Sequence, residues 1–152
     1  MIPVYETTDG AYLITTDTSK MDVDTIHQYL SEESYWAKNI PLNVVKRFMQ
    51  HSFCFAVIFN EKQIGFARLI TDYTTFAYLA DVFILPEFRG KGLSKKLLKF
   101  IHANPELQGL RRWILATRDA HELYEQFGWI KFTDEQTQRF MQKHNPDVYE
   151  IA

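Results

Sequence analysis

The stretch "YLADVFILPEFRGKGLSKKLL", from Tyr78 to Leu98, holds an apolar run, a Pro-Glu break, two glycines one residue apart and the start of an apolar helical stripe. It reads as a strand that feeds through a glycine-relaxed loop straight into a helix. Gly90 and Gly92 permit backbone angles that a β-carbon would forbid, and they let amide N–H groups approach a ligand closely. Those amides merge into the first turn of the helix, where unpaired donors and the positive end of the dipole favour an anion. Arg89, Lys91, Lys95 and Lys96 add positive charge around them. The natural guest of such a loop is a phosphate or pyrophosphate.

Two familiar phosphate loops are excluded. A Walker-type loop needs four residues between its glycines and then Gly-Lys-Ser/Thr, which this segment lacks. The dinucleotide fingerprint fails because Lys95 stands where its third glycine belongs. On glycine pattern alone, a turn whose lysines merely form a solvated helix face remains open.

Working outward, Phe76 to Leu85 predicts the third strand of a meander. Its partners are "SFCFAVIFN" and "QIGFARLIT", joined by the polar "NEK" as a hairpin. Before them, "AYLITTD" reads as a short strand and "MDVDTIHQYL" as a helix with acidic residues in its first turn. "SEESYWAKNI" is a break, and Pro41 opens a second helix. After the loop, Leu93, Leu97, Phe100 and Ile101 form a helical stripe, and "RRWILAT" is a strand. Ala120, Leu123, Tyr124 and Phe127 mark a further helix that ends at Gly128. "WIKF" reads as the last strand, and a short helix is predicted around Arg139 to Lys143.

The helix between Leu85 and Trp113 makes their two strands a parallel, right-handed crossover. The fold class is therefore mixed α/β (α+β). An antiparallel N-terminal meander leads to a parallel pair beside the glycine loop, and helices flank the central mixed sheet. Ligands of such open sheets sit at strand carboxyl ends, where connections diverge. The glycine loop lies at one of them.

Bulk properties narrow the field. The 152 residues suit a single domain over 1–152, and 46% hydrophobic content can bury a core. Seventeen basic and nineteen acidic residues give −2, which offers no global field for nucleic acid or an anionic membrane. The lone Cys54 excludes an internal disulfide framework and fits a reducing compartment. The start carries no basic-then-apolar signal, and no apolar run approaches ~18 residues, so a cytoplasmic protein is expected. The five histidines show no metal-ligand spacing, and none is expected to hold a metal.

The segment "VFILPEFRGKGLS" resembles motif A of the GNAT superfamily of N-acetyltransferases: an apolar strand, Pro-Glu, then Q/R-x-x-G-x-G/A opening a helix. Arg89 and Gly92 match directly, while Ser94 stands where glycine or alanine is usual. Downstream, "TRDAHELYEQFGW" is similar to the family's N-x-x-A-x-x-L/F-Y-x-x-x-G-F segment. Ala120, Tyr124, Gly128 and Trp129 fall in step, and Thr117 replaces asparagine. The resemblance covers Phe53 to Trp129.

It implies acetyl-CoA as donor, a primary amine on a small molecule or peptide as acceptor, and direct transfer in a ternary complex. Arg89, Gly90, Lys91, Gly92, Leu93, Ser94 and Lys95 would hold the pyrophosphate side of the cofactor. Val82, Phe83 and Ile84 would pair their backbone with the pantetheine arm, and Thr117, Asp119 and Tyr124 would meet it from the other side. Tyr124 matches the family's acid, although its ring also shares a face with Leu123 and Phe127. Asp81 interrupts an apolar strand, alternating with Leu79, Phe83 and Leu85. It is either a base or ammonium anchor, or an aspartate that is salt-bridged to Arg68 or caps a loop. Tyr35 and Trp36 either wall the acceptor site, with Glu32 and Glu33 attracting an amine, or staple the two first helices. A monomer or homodimer is expected. The rival readings are a non-catalytic acyl-CoA sensor and a nucleotide-binding module, which Ser94 and Thr117 keep open.

Overall fold

The structure, a computed structural model, describes residues 1–150. Six strands form one sheet in chain order: β1 (Glu6–Asp9), β2 (Tyr12–Thr15), β3 (Phe53–Phe59), β4 (Lys62–Thr71), β5 (Phe76–Ile84) and β6 (Arg112–Leu115). The first five run antiparallel, and β6 joins β5 in parallel. The β3–β4 hairpin turns through Asn60 and Glu61, both with positive φ, the backbone that a two-residue hairpin turn needs.

Five helices accompany the sheet: α1 (Val23–Gln28), α2 (Leu42–Gln50), α3 (Leu93–His102), α4 (His121–Glu125) and α5 (Asp134–Arg139). Asp22 caps α1 by accepting N–H bonds from Asp24 and Thr25, and α1 runs on as a π turn over Tyr29–Glu33. Helix α2 lies on one face of the sheet, where Phe48 meets Phe66 at 6.4 Å. Helix α3 lies on the other, where Phe100 meets Phe55 at 6.0 Å. Strand β3 is therefore covered on both faces, which is why "FCFAVIF" reads as an unbroken apolar run rather than an alternation.

The decisive irregularity is in β5. Arg68 pairs with Ala80 and Phe66 with Phe83, so Ala67 alone faces both Asp81 and Val82. This is a β-bulge, with Asp81 at φ 55°. A positive φ costs an ordinary residue ~1–2 kcal/mol, and aspartate is among the residues that tolerate it best. The bulge corrects the alternation read from sequence, because Asp81 and Phe83 lie on the face opposite Leu79. It also marks where the parallel pair ends. Strand β6 pairs only with Phe76–Leu79, and beyond that point the two strands part.

Four expectations fail elsewhere. Glu6–Asp9 is a strand although all four residues are polar or charged and exposed. Trp129–Phe132 has no ladder partner and is not a strand. It runs beside β6 across a cavity of about 280 Å³, anchored by Trp129, whose Nε1 donates to His102 Nε2 at 2.9 Å. The tail helix is α5, opened by the capping box of Thr133 and Gln136, whereas Phe140 already has extended backbone. Strand β5 closes at Ile84, one residue early, because Leu85 starts the turn over Pro86–Phe88.

Candidate active site

Where β5 and β6 diverge, a cleft of about 400 Å³ opens. Tyr78 to Val82 form one wall and Leu115 to Ala120 the other, with Tyr35 and Trp36 reaching in from the connection between α1 and α2. The second half of β5 has a strand neighbour only in β4, so its other edge has no ladder partner facing this space, and Ile84 O there is taken by Arg89.

That edge leads to the mouth of α3. Gly92 is the N-cap of this helix at φ 74° and supplies no side-chain cap, while Gly90 sits at φ 80°. A β-carbon built at either glycine meets nothing within 4 Å, so the space above the loop is open. The first-turn N–H groups have no intrahelical acceptor. A pocket of about 270 Å³ lies over them, with Ser94 and Lys95 on its rim. These features fit an anionic group of pyrophosphate size held by main-chain donors.

The basic residues around the loop divide their work differently from the sequence expectation. Arg89 turns inward: its Nε donates to Ile84 O at 3.0 Å and its Nη2 to Tyr29 Oη at 2.9 Å. It fastens the end of β5 to the π turn while still lining the pocket over the loop. Lys96 is ion-paired with Asp9. Lys91 lies over the Phe88 ring at 5.8 Å, which leaves Lys95 as the lysine that lines the pocket.

Asp81 is 9% exposed and fully engaged. Arg68 Nε donates to its Oδ2 at 2.5 Å and Trp36 Nε1 to its Oδ1 at 2.7 Å. Arg68 also donates to Ser52 Oγ at 3.0 Å and stacks over Phe48 at 4.0 Å. The salt-bridge alternative is the one the geometry contains, and it fixes the bulge and Trp36 together. Cys54, on β3, is buried beside this cluster, and loss of solvation pushes its thiol up to about 12.

Tyr124 rises from α4 to line the cleft and also the cavity beside β6. Its ring packs edge-on against Trp129 at 6.0 Å. Burial, with smaller contributions from Tyr35 and Asp119, pushes its phenol up to about 12. Thr117 Oγ1 accepts the N–H of Ala120 at 3.1 Å, so the residue standing in place of asparagine anchors the start of α4.

Of the residues named from sequence, Asp81, Val82, Thr117, Asp119, Tyr124, Tyr35 and Trp36 converge on the cleft. Ile84, Arg89, Gly90, Gly92, Leu93, Ser94 and Lys95 gather at the α3 mouth. Phe83 is buried and stacks on Tyr29 at 4.0 Å, and the Leu93 side chain is also core, so these two can offer only backbone. Glu32 and Glu33 are exposed on the π turn and are not among the residues that line the cleft. Tyr78 and Arg118 line it without having been singled out, and Tyr29 supports it. Tyr29 was readable only as one member of a helical stripe, and Arg118 carries no pattern at all. Among the described residues, no group of three His, Cys, Asp or Glu side chains could hold a metal, and no helix is long and apolar enough to cross a membrane.

Comparison with known proteins agrees with this geometry. The family model described as an acetyltransferase (GNAT) domain matches residues 50–131. A Gibberella zeae protein provisionally named an acetyltransferase is 34% identical over 139 residues, 77% of each chain. A crystal structure from Xanthomonas campestris pv. campestris, described as belonging to the GNAT family, matches with TM-score 0.87 and 44% identity over 99% of both chains. A Deinococcus radiodurans structure matches with TM-score 0.70 at 16% identity, over 91% of this chain and 92% of that one, a likeness of fold alone. With its motifs, its sheet and its relatives in agreement, the chain belongs to the GNAT acetyltransferase family.

Proposed function

We propose that the protein transfers an acetyl group from acetyl-CoA to a primary amine, by direct attack within one ternary complex. The observation that carries this reading is a continuous path. An uncapped helix mouth built for an anion opens onto the free edge of β5, which leads into the cleft lined by Tyr124.

Bound there, acetyl-CoA supplies an activated thioester carbonyl. The amides at the start of α3, with Gly90, Gly92, Ser94 and Lys95, hold its pyrophosphate. The backbone of Val82 to Ile84 takes the pantetheine arm as an added strand and offers an N–H to the carbonyl oxygen as negative charge develops there. The acceptor arrives as an ammonium with a pKa of ~10.4, and shedding its proton at pH 7 costs about 4.6 kcal/mol. The cleft is open to solvent, so water can collect that proton. Asp81, bonded to Arg68 and Trp36, acts as a positioning residue that sets the cleft wall. Tyr124 protonates the departing sulfur. Held neutral by burial, its phenol keeps the proton to donate throughout the physiological range. The whole chain works as one acetyltransferase unit in the cytoplasm, a setting that its single buried thiol suits.

Tyr124→Phe tests the reading. Turnover, followed as released coenzyme A thiol against an amine panel, falls at least tenfold while acetyl-CoA affinity by calorimetry is kept. Unchanged turnover removes the acid role. Binding of acetyl-CoA by the unaltered protein without turnover of any amine would favour an acyl-CoA sensor instead.

A further inference from the structure

The cleft contains a cation, Arg118, that no acid among the described residues answers. Arg118, on the loop between β6 and α4, lays its guanidinium flat on the Tyr35 ring at 3.8 Å. Its own backbone N–H donates to Tyr35 Oη at 3.0 Å. Each group fixes the other, so the loop after β6 and the connection between α1 and α2 meet through this one pair. Among the described residues, no carboxylate stands within the 4.0 Å of an ion pair with Arg118. The acid deepest in the cleft, Asp81, is already taken by Arg68 and Trp36. Asp119, next along the chain, is exposed on the rim.

Stacking uses one face of a guanidinium and leaves its edge donors free. That edge is a rigid fork whose spacing matches the two oxygens of a carboxylate or phosphate. A fork already held by an aromatic ring loses less conformational freedom on binding than a free side chain does. Because Asp81 is neutralised by Arg68, the Arg118 fork is the cleft charge left to meet a small molecule.

We infer that the acceptor carries an anionic group, carboxylate or phosphate, close to its amine, and that Arg118 holds that group. This rests on the acyl-transfer reading above and narrows it to zwitterionic acceptors over simple alkylamines and polyamines.

The experiment uses matched pairs that differ only in the anion: amino acids against their amides, and phosphoethanolamine against ethanolamine. The two arms separate carboxylate from phosphate. With the intact protein and acetyl-CoA, one arm shows kcat/KM at least tenfold higher for the anionic member, mainly through KM. Arg118→Gln lowers that anionic-to-neutral ratio at least tenfold. Arg118→Lys keeps part of it, because it retains charge without the flat stack. A preference for the neutral members, or a ratio unmoved by Arg118→Gln, overturns the inference. If acetyl-CoA binds but no amine is acetylated, acyl transfer fails on its own account, and titration of the same pairs into the coenzyme-A-bound protein decides the anion site. Heat from an anionic member that disappears in Arg118→Gln supports the site, and equal heat from both proteins sinks it.

Discussion

The two halves of β5 belong to one strand and follow opposite rules. From Ala77 to Leu79 it is paired on both sides, by β4 and β6. After Asp81 it keeps β4 and loses β6. The first half behaves as core, and the second offers an unpaired backbone edge to the cleft. What separates them is one extra residue held at φ 55° and tied down by Arg68 and Trp36. The contrast teaches that this site arises by withholding a hydrogen-bonded neighbour, and that a buried ion pair keeps the gap open. The cleft is a defect in sheet pairing, stabilised from outside the strand.

The largest blow to that contrast should come from Asp81→Ala. It strands Arg68, whose side chain is only 16% exposed, without its counter-charge, and a loss of about 3–5 kcal/mol is expected in urea unfolding. Adding Arg68→Met should recover much of it, since replacing both partners removes the uncompensated charge. A cost under about 1 kcal/mol would mean that the bulge supports itself.

Gly65→Ala probes the closed side of the same half-strand. Gly65 pairs with Ile84, and a β-carbon there would lie 2.7 Å from Ile84 Cδ1 and 3.2 Å from Phe83 O. Overpacking of this kind costs about 1–3 kcal/mol, and because it presses on β5 just before the α3 mouth, acetyl-CoA affinity should fall with stability. Lost stability with unaltered affinity would uncouple the two regions.

The smallest effect concerns the segment beside β6. Trp129 can only donate, so His102 Nε2 accepts and the proton sits on Nδ1, which donates to Leu98 O at 2.6 Å. The ring is also sandwiched between Trp113 and Phe127 at 5.1 and 5.4 Å. Burial lowers its pKa below the usual histidine value. The unfolded chain therefore binds the proton more readily. The stability from neutral His102 is complete above pH ~6.5 and is lost as pH falls through the lower folded value. Unfolding curves at pH 7.5 and 5 should differ in that direction, and His102→Gln should shrink the difference.

Much of this architecture was legible because apolar periodicity carried it. Strands β3 to β6 and helices α1 to α4 each bury a patterned face, and the two glycines announced the helix mouth. Strand β1 was not legible, since "ETTD" buries nothing and forms only because the turn at Gly10 returns the chain against β2. Trp129–Phe132 misled in the opposite way, because it alternates like a strand yet finds no partner. Thr133 and Gln136 did announce α5 through the spacing of a capping box, a signal the apolar pattern obscured. In the site, Asp81 stood out as a carboxylate in an apolar run. Its bulge did not, because register belongs to a pair of strands and not to one. Arg89 was placed by type and neighbourhood, and only packing showed that its guanidinium also ties Ile84 to Tyr29.

The burial of Cys54 has a practical consequence at the bench. With a pKa near 12, about one molecule in ten thousand carries the thiolate at pH 8, behind strands that close off reagent. The protein contains no other sulfhydryl. An aromatic disulfide dye added to the folded enzyme would thus report liberated coenzyme A against a nearly silent background, and a colour burst before substrate is added would signal molecules that have come apart.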